Sequence, residues 1–357
     1  TDLYGERLTM SDIECLACLW SQPSQTQMPD AYYFYNHFYT ATETESALKA
    51  IYGGLFNVVA QANTILQHVD NGVITDADAR NVVEGEALAL RAYCQFDVLR
   101  LFGQMPQNPT KTVRLPYATK AGINEQAAWY GFDDYVKMLQ ADLSRAEELL
   151  GQSDPVLKYN IFSLNNQGST PANLMDDFMQ YRQFRLNYFA VKGMEARLAL
   201  YIGDRATAYK DAMAVINAKV NGEPFMELAG TQDLGVSLNG STVSYGTLPD
   251  ECIFALSNRK LSSYAFSLLG GGDVLTDENS MLHITTNMLD KQLYNGHNTT
   301  SDNRYLYWWN HDSHNVSSIK IPALKKYYYN TSDYTSANSY STLLFKIQLM
   351  PMMRLSE

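Results

Sequence analysis

Two segments of the chain combine aromatic rings with side chains that can form hydrogen bonds. Residues 302–315 read DNRYLYWWNHDSHN, and residues 32–39 read YYFYNHFY. The rings of Tyr and Trp have broad apolar faces that can stack on a ligand, but the same rings also fill protein cores. The residue types alone therefore leave open whether these segments form a binding surface or part of a core.

Histidine and aspartate side chains near the second of these segments could in principle bind a metal ion. The candidates are His297, His311, His314, Asp302 and Asp312. Their spacing matches neither one face of a helix nor a zinc finger, so nothing in the sequence brings them together. We expect neither a metal site nor a bound cofactor.

Adjacent carboxylates could act as the acid and base of a glycoside hydrolase. Such an enzyme needs two carboxyl groups about 5 to 10 Å apart on either side of a cleft. Each acidic pair instead falls at a helix start or on a solvated helix face, where negative charge suits the helix dipole or water. The pairs are Asp133 and Asp134, Glu147 and Glu148, and Asp176 and Asp177. We expect no catalytic residues and no enzyme activity.

The four cysteines include one close pair, Cys15 and Cys18, in the sequence Cys-Leu-Ala-Cys. A zinc site would need a second pair nearby, and a thioredoxin-like site would need a preceding strand and a helix that opens at the first cysteine. Neither context is present. Both thiols are therefore expected to be buried small hydrophobic groups on a short helix.

The composition and charge limit the classes of protein and partner. The chain has 357 residues, of which 46% are apolar and 18% charged, as in a globular protein. Its net charge of −11 without a local Lys and Arg cluster argues against nucleic acid or an anionic membrane as partner. No run approaches the roughly 18 apolar residues of a membrane helix, and no signal peptide precedes Thr1. We expect a soluble chain, truncated at its C-terminal PMMRLSE.

Helical periodicity dominates from about residue 44 to residue 220. Two apolar stripes with spacings of three and four predict a helix over 82–102 that packs on two sides. Gly103 is expected to end it in a left-handed cap. A second helix is predicted from Asp133, as N-cap, to Gly151.

The clearest pair of helices is predicted within residues 184–217. Gly203 would close the first helix and Asp204 would cap the second, as in tetratricopeptide repeats. Inward-facing positions are Phe189, Gly193, Ala196, Leu200, Ala208, Ala212 and Val215. Because one such pair cannot bury its own faces, further helices must stack on it. Residues 218–345 instead predict long structured loops with a few short elements, such as a strand in ECIFAL.

One helix carries a resemblance to a known family. The segment GEALALRAYCQFDVLRLFGQMP resembles the hallmark helix of the SusD/RagB family. Five further segments fall in that family's order: IYGGLFNVVAQANTIL, YVKMLQADLSRAEELL, RLNYFAVKGMEARLALYIGD, DECIFAL and IQLMPMMRLSE. Together they make the chain similar to SusD/RagB proteins over most of its length from residue 48 onward.

The resemblance implies a fold class. We expect a single SusD-like domain over residues 1–357, mainly α, built as a superhelix of tetratricopeptide-like helix pairs with a few short strands. The helical scaffold would lie mainly within 44–220. A large irregular, ligand-facing part would lie mainly within 20–45, 103–132 and 218–345.

The resemblance also implies a location and partners. SusD/RagB proteins are lipid-anchored at the surface of Bacteroidetes outer membranes, bind glycans or less often peptides, and cover a SusC-like TonB-dependent transporter. They have no catalytic centre. Their membrane contact is made through an acylated N-terminal cysteine that is absent from this sequence.

Sugar rings have apolar C–H faces that stack on aromatic rings, and hydroxyls that bond to amide and charged groups. By the regions that family members use, the resemblance implies the glycan-binding residues Trp20, Tyr32, Tyr33, Tyr35, Tyr294, Trp308, Trp309 and Asn310. For the tyrosines, the alternative is a strand-like segment with one face in the core. In an extended chain, one of the two adjacent tryptophans would be buried and the other free. Asp302 and Arg304 are expected to form a structural ion pair.

Four hypotheses for function follow. The leading one is capture of a glycan at the cell surface for delivery to an outer-membrane transporter. A second is a peptide-binding member of the same family, and a third is a glycoside hydrolase. The fourth is a helical-repeat adaptor, whose protein partner would contact the concave helical face instead of the loops.

Overall fold

A computed structural model describes residues 3–122, 124–165, 174, 177–228, 251–257, 261–269, 278–295, 299–310, 315–316, 319–324 and 343–348. The chain divides into two compact units. We call the first the aromatic unit; it comprises Thr1–Ile51, Ala229–Asp250 and Leu256–Phe345. The second, which we call the helical unit, comprises Tyr52–Leu228, Glu251–Ala255 and Lys346–Glu357.

The described residues are mainly α-helical, as predicted. The α-helices are α1 Asp12–Leu16, α2 Pro29–Tyr35, α3 Thr42–Asp70, α4 Ala77–Phe102, α5 Phe132–Ser153, α6 Ile161–Asn165, α7 Tyr188–Ile202, α8 Arg205–Ile216, α9 Leu261–Leu269 and α10 Asn303–Trp308. The strands are β1 Leu115–Tyr117, β2 Ala128–Tyr130, β3 Lys219–Val220, β4 Glu223–Pro224, β5 Cys252–Ser257, β6 Trp309–Asn310, β7 Asn315–Val316, β8 Ile319–Lys320, β9 Ala323–Leu324 and β10 Leu343–Gln348. These strands pair only two at a time within the described residues, as β1–β2, β3–β4, β5–β10, β6–β9 and β7–β8.

Helices α4 and α5 form an antiparallel pair in the helical unit. Asp76 caps α4 by accepting a 2.7 Å hydrogen bond from the backbone N–H of Ala79. Gly85 lets the helices approach closely, because a Cβ at this position would lie 2.7 Å from Cγ of Leu150. A residue without a side chain is therefore needed where α4 crosses α5.

The predicted ends of these two helices need correction. Gly103 follows α4 with φ −87° and ψ −169°, which is extended backbone and not the expected left-handed cap. Asp133 lies in the first turn of α5 and is not its N-cap, since Gly131 occupies that position. Gly151 is inside α5, which continues to Ser153. Local signals located both helices but misplaced their ends by a few residues.

Helices α7 and α8 form the predicted hairpin. Gly203 has the left-handed φ of 87°, and Asp204 accepts a 3.1 Å hydrogen bond from the N–H of Thr207. All the predicted inward-facing residues are buried except Leu200, which is exposed. The prediction for Leu200 was wrong because the buried side of the last turn of α7 carries Leu198 and Ala199, which leaves Leu200 on the exposed side.

Buried ion pairs join the helices of this unit. Arg91 on α4 makes a two-point contact with Asp142 on α5, with Nε–Oδ2 and Nη2–Oδ1 distances of 2.8 and 2.6 Å. Arg182 makes a similar contact with Asp154 at 2.9 and 2.8 Å, and also bonds to Glu86. Glu86 and Arg91 belong to the segment that resembles the SusD/RagB hallmark helix, so these hallmark residues position helices.

The aromatic unit has a core assembled from short segments far apart in sequence. Its buried members are Met10, Cys15, Trp20, Ala31, Phe34, Ala47, Ala265, Leu269, Leu282, Ile284, Leu289, Tyr294 and Trp309. Backbone hydrogen bonds join the segments, including one of 2.7 Å from Ser21 N to His283 O. This core depends on long-range packing and not on one long amphipathic element.

Two local predictions in this unit were wrong in part. Cys15 is buried as expected, but Cys18 lies beyond the end of α1 and is exposed. The segment from Asn303 to Trp308 is the helix α10 and not extended chain. The Asp302–Arg304 ion pair is confirmed at 2.7 Å, and Asp302 also caps α10 by accepting from the Arg304 N–H.

Within the part of the chain that the structure describes, no helix is long and apolar enough to cross a bilayer.

Candidate functional site

Three of the predicted glycan contacts, which lie far apart in the sequence, meet in the core of the aromatic unit. Trp20, Tyr294 and Trp309 are all buried there. Trp309 is only 7% exposed, and the indole N–H of Trp20 donates a 3.1 Å hydrogen bond to the Met10 carbonyl. In this arrangement the three rings support the unit from inside and present no face to a ligand.

Trp308 and Asn310 flank the buried Trp309. Trp308 is partly buried and packs against the same core. Asn310 lies in β6, opposite Ala323 of β9, and its side chain lies outside the described residues. In an extended chain, one of the two tryptophans would face the core and the other solvent. Here both pack against the core, because Trp308 is the last residue of a helix.

The three predicted tyrosines lie on α2, which turns one side toward the core. Ala31 and Phe34, three residues apart, are buried, while Tyr32, Tyr33 and Tyr35 are partly exposed. This spacing is helical, so the alternative of a strand-like alternation was wrong. Pro29 suits the first turn of the helix, where its missing N–H costs no hydrogen bond.

Beyond α2 the chain exposes further rings. We define the α2 aromatic patch as Tyr32, Tyr33, His37, Phe38 and Tyr39. The ring centroid of Phe38 lies 6.4 Å from that of Tyr32 and 6.1 Å from that of Tyr33, and His37 lies 6.1 Å from Tyr39. Phe38 is 48% exposed and Tyr39 55%. The patch therefore offers several ring faces to solvent in a small area.

Hydrogen bonds fix the turn that carries these rings. The Asn36 side-chain amide donates to the Tyr32 carbonyl at 2.8 Å, and the Phe38 N–H donates to the Tyr33 carbonyl at 3.0 Å. His37 has a left-handed φ of 56°, and its Nε2 lies 3.0 Å from the carbonyl oxygen of Leu16. Because the turn is already ordered, binding to it would lose little conformational entropy.

Sequence reasoning did not single out Phe38. A helix that buries Ala31 and Phe34 has its next inward position near Phe38, which suggests core and not surface. The left-handed residue His37 breaks that pattern and turns Phe38 outward. An Asn-His pair after a helix was the available signal for such a turn, since Asn and His tolerate positive φ better than most residues.

The helical unit contains a cluster of carboxylates, which are the groups that a glycoside hydrolase site requires. The Lys192 ammonium lies 3.0 Å from Glu147, 2.7 Å from Glu195 and 2.7 Å from Asp211. Burial raises the pKa of Glu195 to about 7, and the hydrogen bond from Lys192 only partly opposes that shift. A raised carboxyl pKa is typical of a general acid.

The surroundings of this cluster favour a structural role. Lys192 and Asp211 are buried, and the one ammonium joins α5, α7 and α8. A sugar ring needs an open cleft between the carboxyl groups. Among the other acidic pairs, Glu148 is bound to Arg145 at 2.7 Å, and Asp133 and Asp134 lie exposed in the first turn of α5. Asp176 lies outside the described residues.

No group of three or more His, Cys, Asp or Glu side chains arranged for a metal ion occurs among the described residues. Of the metal candidates weighed from sequence, His297, His311, His314 and Asp312 lie outside the part that the structure describes.

A shallow hollow lies beside the β1–β2 hairpin, with about 160 Å³ of space that includes open solvent. Its lining includes Leu99, Val113, Tyr130 and Phe132. Ligand pockets usually enclose about 300 Å³ or more. The hollow is too small to be the main binding site.

Comparisons with known proteins agree with this architecture. Residues 18–161 match the SusD-like family model described as starch-binding and associating with the outer membrane. No curated protein matches the chain significantly.

Several solved structures are similar in fold. They include a SusD superfamily protein from Bacteroides thetaiotaomicron, with 17% identity, a TM-score of 0.58 and coverage of 86% of this chain and 60% of that one. A SusD-like carbohydrate binding protein from Bacteroides vulgatus has 16% identity, a TM-score of 0.62 and coverage of 90% and 60%. Surface glycan-binding protein A from Bacteroides uniformis has 13% identity, a TM-score of 0.65 and coverage of 99% and 69%.

The chain thus spans 60% of the length of the first two of these proteins. Sequence identities of 13% to 17% establish that the folds are similar, and they do not identify the ligand of this chain. The predicted resemblance is confirmed: the chain has the fold of the SusD superfamily, and its residues 18–161 carry the SusD-like family signature.

Proposed function

We propose that the protein binds a neutral glycan through the α2 aromatic patch and has no catalytic role. The observation that carries the proposal is that Phe38 and Tyr39 expose their rings on an ordered turn, within the segment that matches the SusD-like family. Exposed rings on a fixed turn suit stacking against the apolar faces of sugars, and the tyrosine hydroxyls can bond to sugar hydroxyls.

The charge of the chain supports a neutral ligand. A net charge of −11 disfavours phosphate-rich or sulfate-rich polymers at long range. Asp30 is exposed at the start of α2 and adds a local hydrogen-bond acceptor on the same helix. Of the contacts predicted from the sequence, Tyr32 and Tyr33 in the patch, and Tyr35 on the same helix, remain proposed direct contacts. Trp20, Tyr294, Trp308 and Trp309 would support the unit that presents them.

The wider biological role rests on similarity to the family. We propose that both compact units belong to one SusD-like domain that acts at the surface of the outer membrane. Lipid anchoring and delivery to a SusC-like TonB-dependent transporter are part of this proposal, because the matching proteins are SusD-like proteins of Bacteroides species.

Affinity electrophoresis tests the proposal. The protein should migrate more slowly in gels that contain one or more neutral polysaccharides from a panel, and Phe38→Ala should weaken that retention by about tenfold. Tyr209→Ala on α8 is the matched control, because Tyr209 is similarly exposed at 49% but lies outside the patch. Retention by no glycan in the panel would contradict the proposal.

The same panel separates the rival functions. Release of new reducing ends from any retained polysaccharide would favour the hydrolase. Binding of peptides in place of glycans, with the same loss in Phe38→Ala, would favour the peptide-binding alternative. Glycan binding that Phe38→Ala leaves unchanged would remove the patch from the site while keeping the ligand class.

A further inference from the structure

One tryptophan of the chain stands apart from the other three. Trp20 and Trp309 are buried in the aromatic unit and Trp308 packs against the same core. Trp129, in β2 of the helical unit, is 57% exposed. An indole is the largest apolar side chain, so leaving more than half of it in water needs a reason other than packing.

Strand pairing and hydrogen bonds fix the backbone that carries Trp129. β2 pairs with β1 so that Trp129 lies opposite Pro116, and the Arg114 guanidinium donates a hydrogen bond to the Trp129 carbonyl. β1 is anchored in turn, because Leu115 and Tyr117 are buried and the Tyr117 hydroxyl donates to Asp142 at 2.7 Å. The exposed ring therefore projects from a rigid two-stranded support.

Charged side chains of both signs flank the β1–β2 hairpin in the chain. Arg114 has five N–H donors, of which one is used on the Trp129 carbonyl. Asp134, at the start of α5, accepts a 2.9 Å hydrogen bond from Lys137. That bond, with a smaller contribution from the charge of Arg114, lowers the pKa of the Asp134 carboxyl, which lies five residues after Trp129 in the chain.

We infer that Trp129 is a second contact for a neutral glycan, carried by the helical unit and independent of the α2 aromatic patch. The inference rests on the proposed function for its ligand class. A sugar ring would stack on the indole, with Arg114 donating to its hydroxyls.

The surroundings favour a sugar over a protein partner. A stable protein interface buries about 1,200 Å² or more around an apolar centre from which charged residues are depleted. The exposed residues beside Trp129 in the chain and just before β1 are charged, polar or small: Arg114, Gln126, Ala128, Asp133 and Asp134. A single exposed indole with the Arg114 guanidinium on the same hairpin matches the size and chemistry of a single pyranose.

Trp129→Phe and Trp129→Ala test the inference on the full chain, with circular dichroism to confirm that both fold. Titration of a retained oligosaccharide should change the tryptophan fluorescence of the wild-type protein, and Trp129→Phe should lose that change. Trp129→Ala should weaken retention in affinity gels by about fivefold to tenfold. Phe38→Ala should keep the fluorescence change, because this variant retains every tryptophan, including Trp129.

The outcomes distinguish this inference from the proposed function. Glycan binding with an unchanged affinity and an unchanged fluorescence response in the Trp129 variants would overturn the inference alone. A wild-type protein that binds no glycan would overturn both. A self-association that sedimentation detects and that Trp129→Ala abolishes, with glycan binding intact, would assign the ring to a protein contact and also overturn the inference.

Discussion

The two units of the molecule fill their interiors with different chemistry. In the helical unit, Arg91 with Asp142 and Arg182 with Asp154 are buried charges that join one helix to another. In the aromatic unit, the largest buried rings, Trp20 and Trp309, join short segments distant in the sequence. Charged pairs fix the geometry of long regular elements, whereas rings cover irregular backbone with large apolar area.

In both units, scaffold residues differ from surface residues in their solvent exposure and not in their residue type. Both units contain aromatic residues. Phe38 and Trp129 are exposed on backbone that hydrogen bonds hold in place, whereas Trp309 is buried. The comparison predicts that substitutions of buried charges and rings change stability, and that substitutions of exposed rings change binding.

The largest loss of stability is expected from breaking the most buried ion pair. Arg182→Met removes the partner of two carboxylates, of which Asp154 is fully buried. We expect the free energy of unfolding in urea to fall by about 3 to 5 kcal/mol, because a charge is left buried without its partner. Arg145→Met, which breaks exposed pairs with Glu84 and Glu148, should cost less than about 1 kcal/mol. Equal losses in the two variants would refute the structural role of Arg182.

A slightly smaller loss is expected in the core of the aromatic unit. Trp309→Ala should lower the unfolding free energy by about 3 to 4 kcal/mol through lost burial and an unfilled cavity. Phe38→Ala should change it by less than about 0.5 kcal/mol, because the ring is already half in water. If the two variants were equally stable, Trp309 would not be a core residue.

The close crossing of α4 and α5 gives an intermediate effect. Gly85→Ala places a Cβ against Leu150 and should destabilise by about 1 to 3 kcal/mol. Gly53→Ala on α3 has nothing within 4 Å of the new Cβ, so it should stabilise by about 0.5 to 1 kcal/mol through helix propensity. Thermal unfolding of the two variants gives the comparison, and a stabilising Gly85→Ala would show that the helices are not in close contact there.

The carboxylate cluster around Lys192 gives an effect that depends on pH. The pKa of Glu195 is raised to about 7 by burial, so its contribution to stability is fully present below its unfolded pKa. That contribution is lost as the pH rises through about 7. Glu195→Gln should therefore gain stability relative to the wild type between pH 5 and 8, with a slope of at most about 1.4 kcal/mol per pH unit, the value for one proton. A difference that does not vary with pH would show that Glu195 is ionised throughout.

The sequence located the helical scaffold better than the solvent exposure of the aromatic rings. Helices α4, α5, α7 and α8 have local signals, namely apolar spacing of three and four, the Gly203 and Asp204 turn, and small residues such as Gly85. Their physical determinants lie within a few residues of each other, so the spacing predicts them. Errors were confined to ends such as Gly103, where several backbone conformations can stop a helix.

The aromatic residues could not be assigned in this way. A ring in a six-residue helix such as α10 shows no period, and the burial of Trp309 depends on segments hundreds of residues distant. Phe38 is exposed because one left-handed residue, His37, redirects the chain after α2. Trp129 escaped notice because the short β1–β2 hairpin has no extended alternating pattern. In each case tertiary packing, and not local propensity, decides whether a ring is core or surface.

Hydrogen–deuterium exchange with and without a retained oligosaccharide tests the central claim most directly. If the α2 aromatic patch contacts the glycan, amides of residues 36–41 should exchange more slowly in the complex, because the ligand stabilises the turn that carries Phe38 and Tyr39. Peptides from α7 and α8 should be unaffected. Protection confined to α7 and α8, with no change over residues 36–41, would contradict the account and favour a binding face on the helical scaffold.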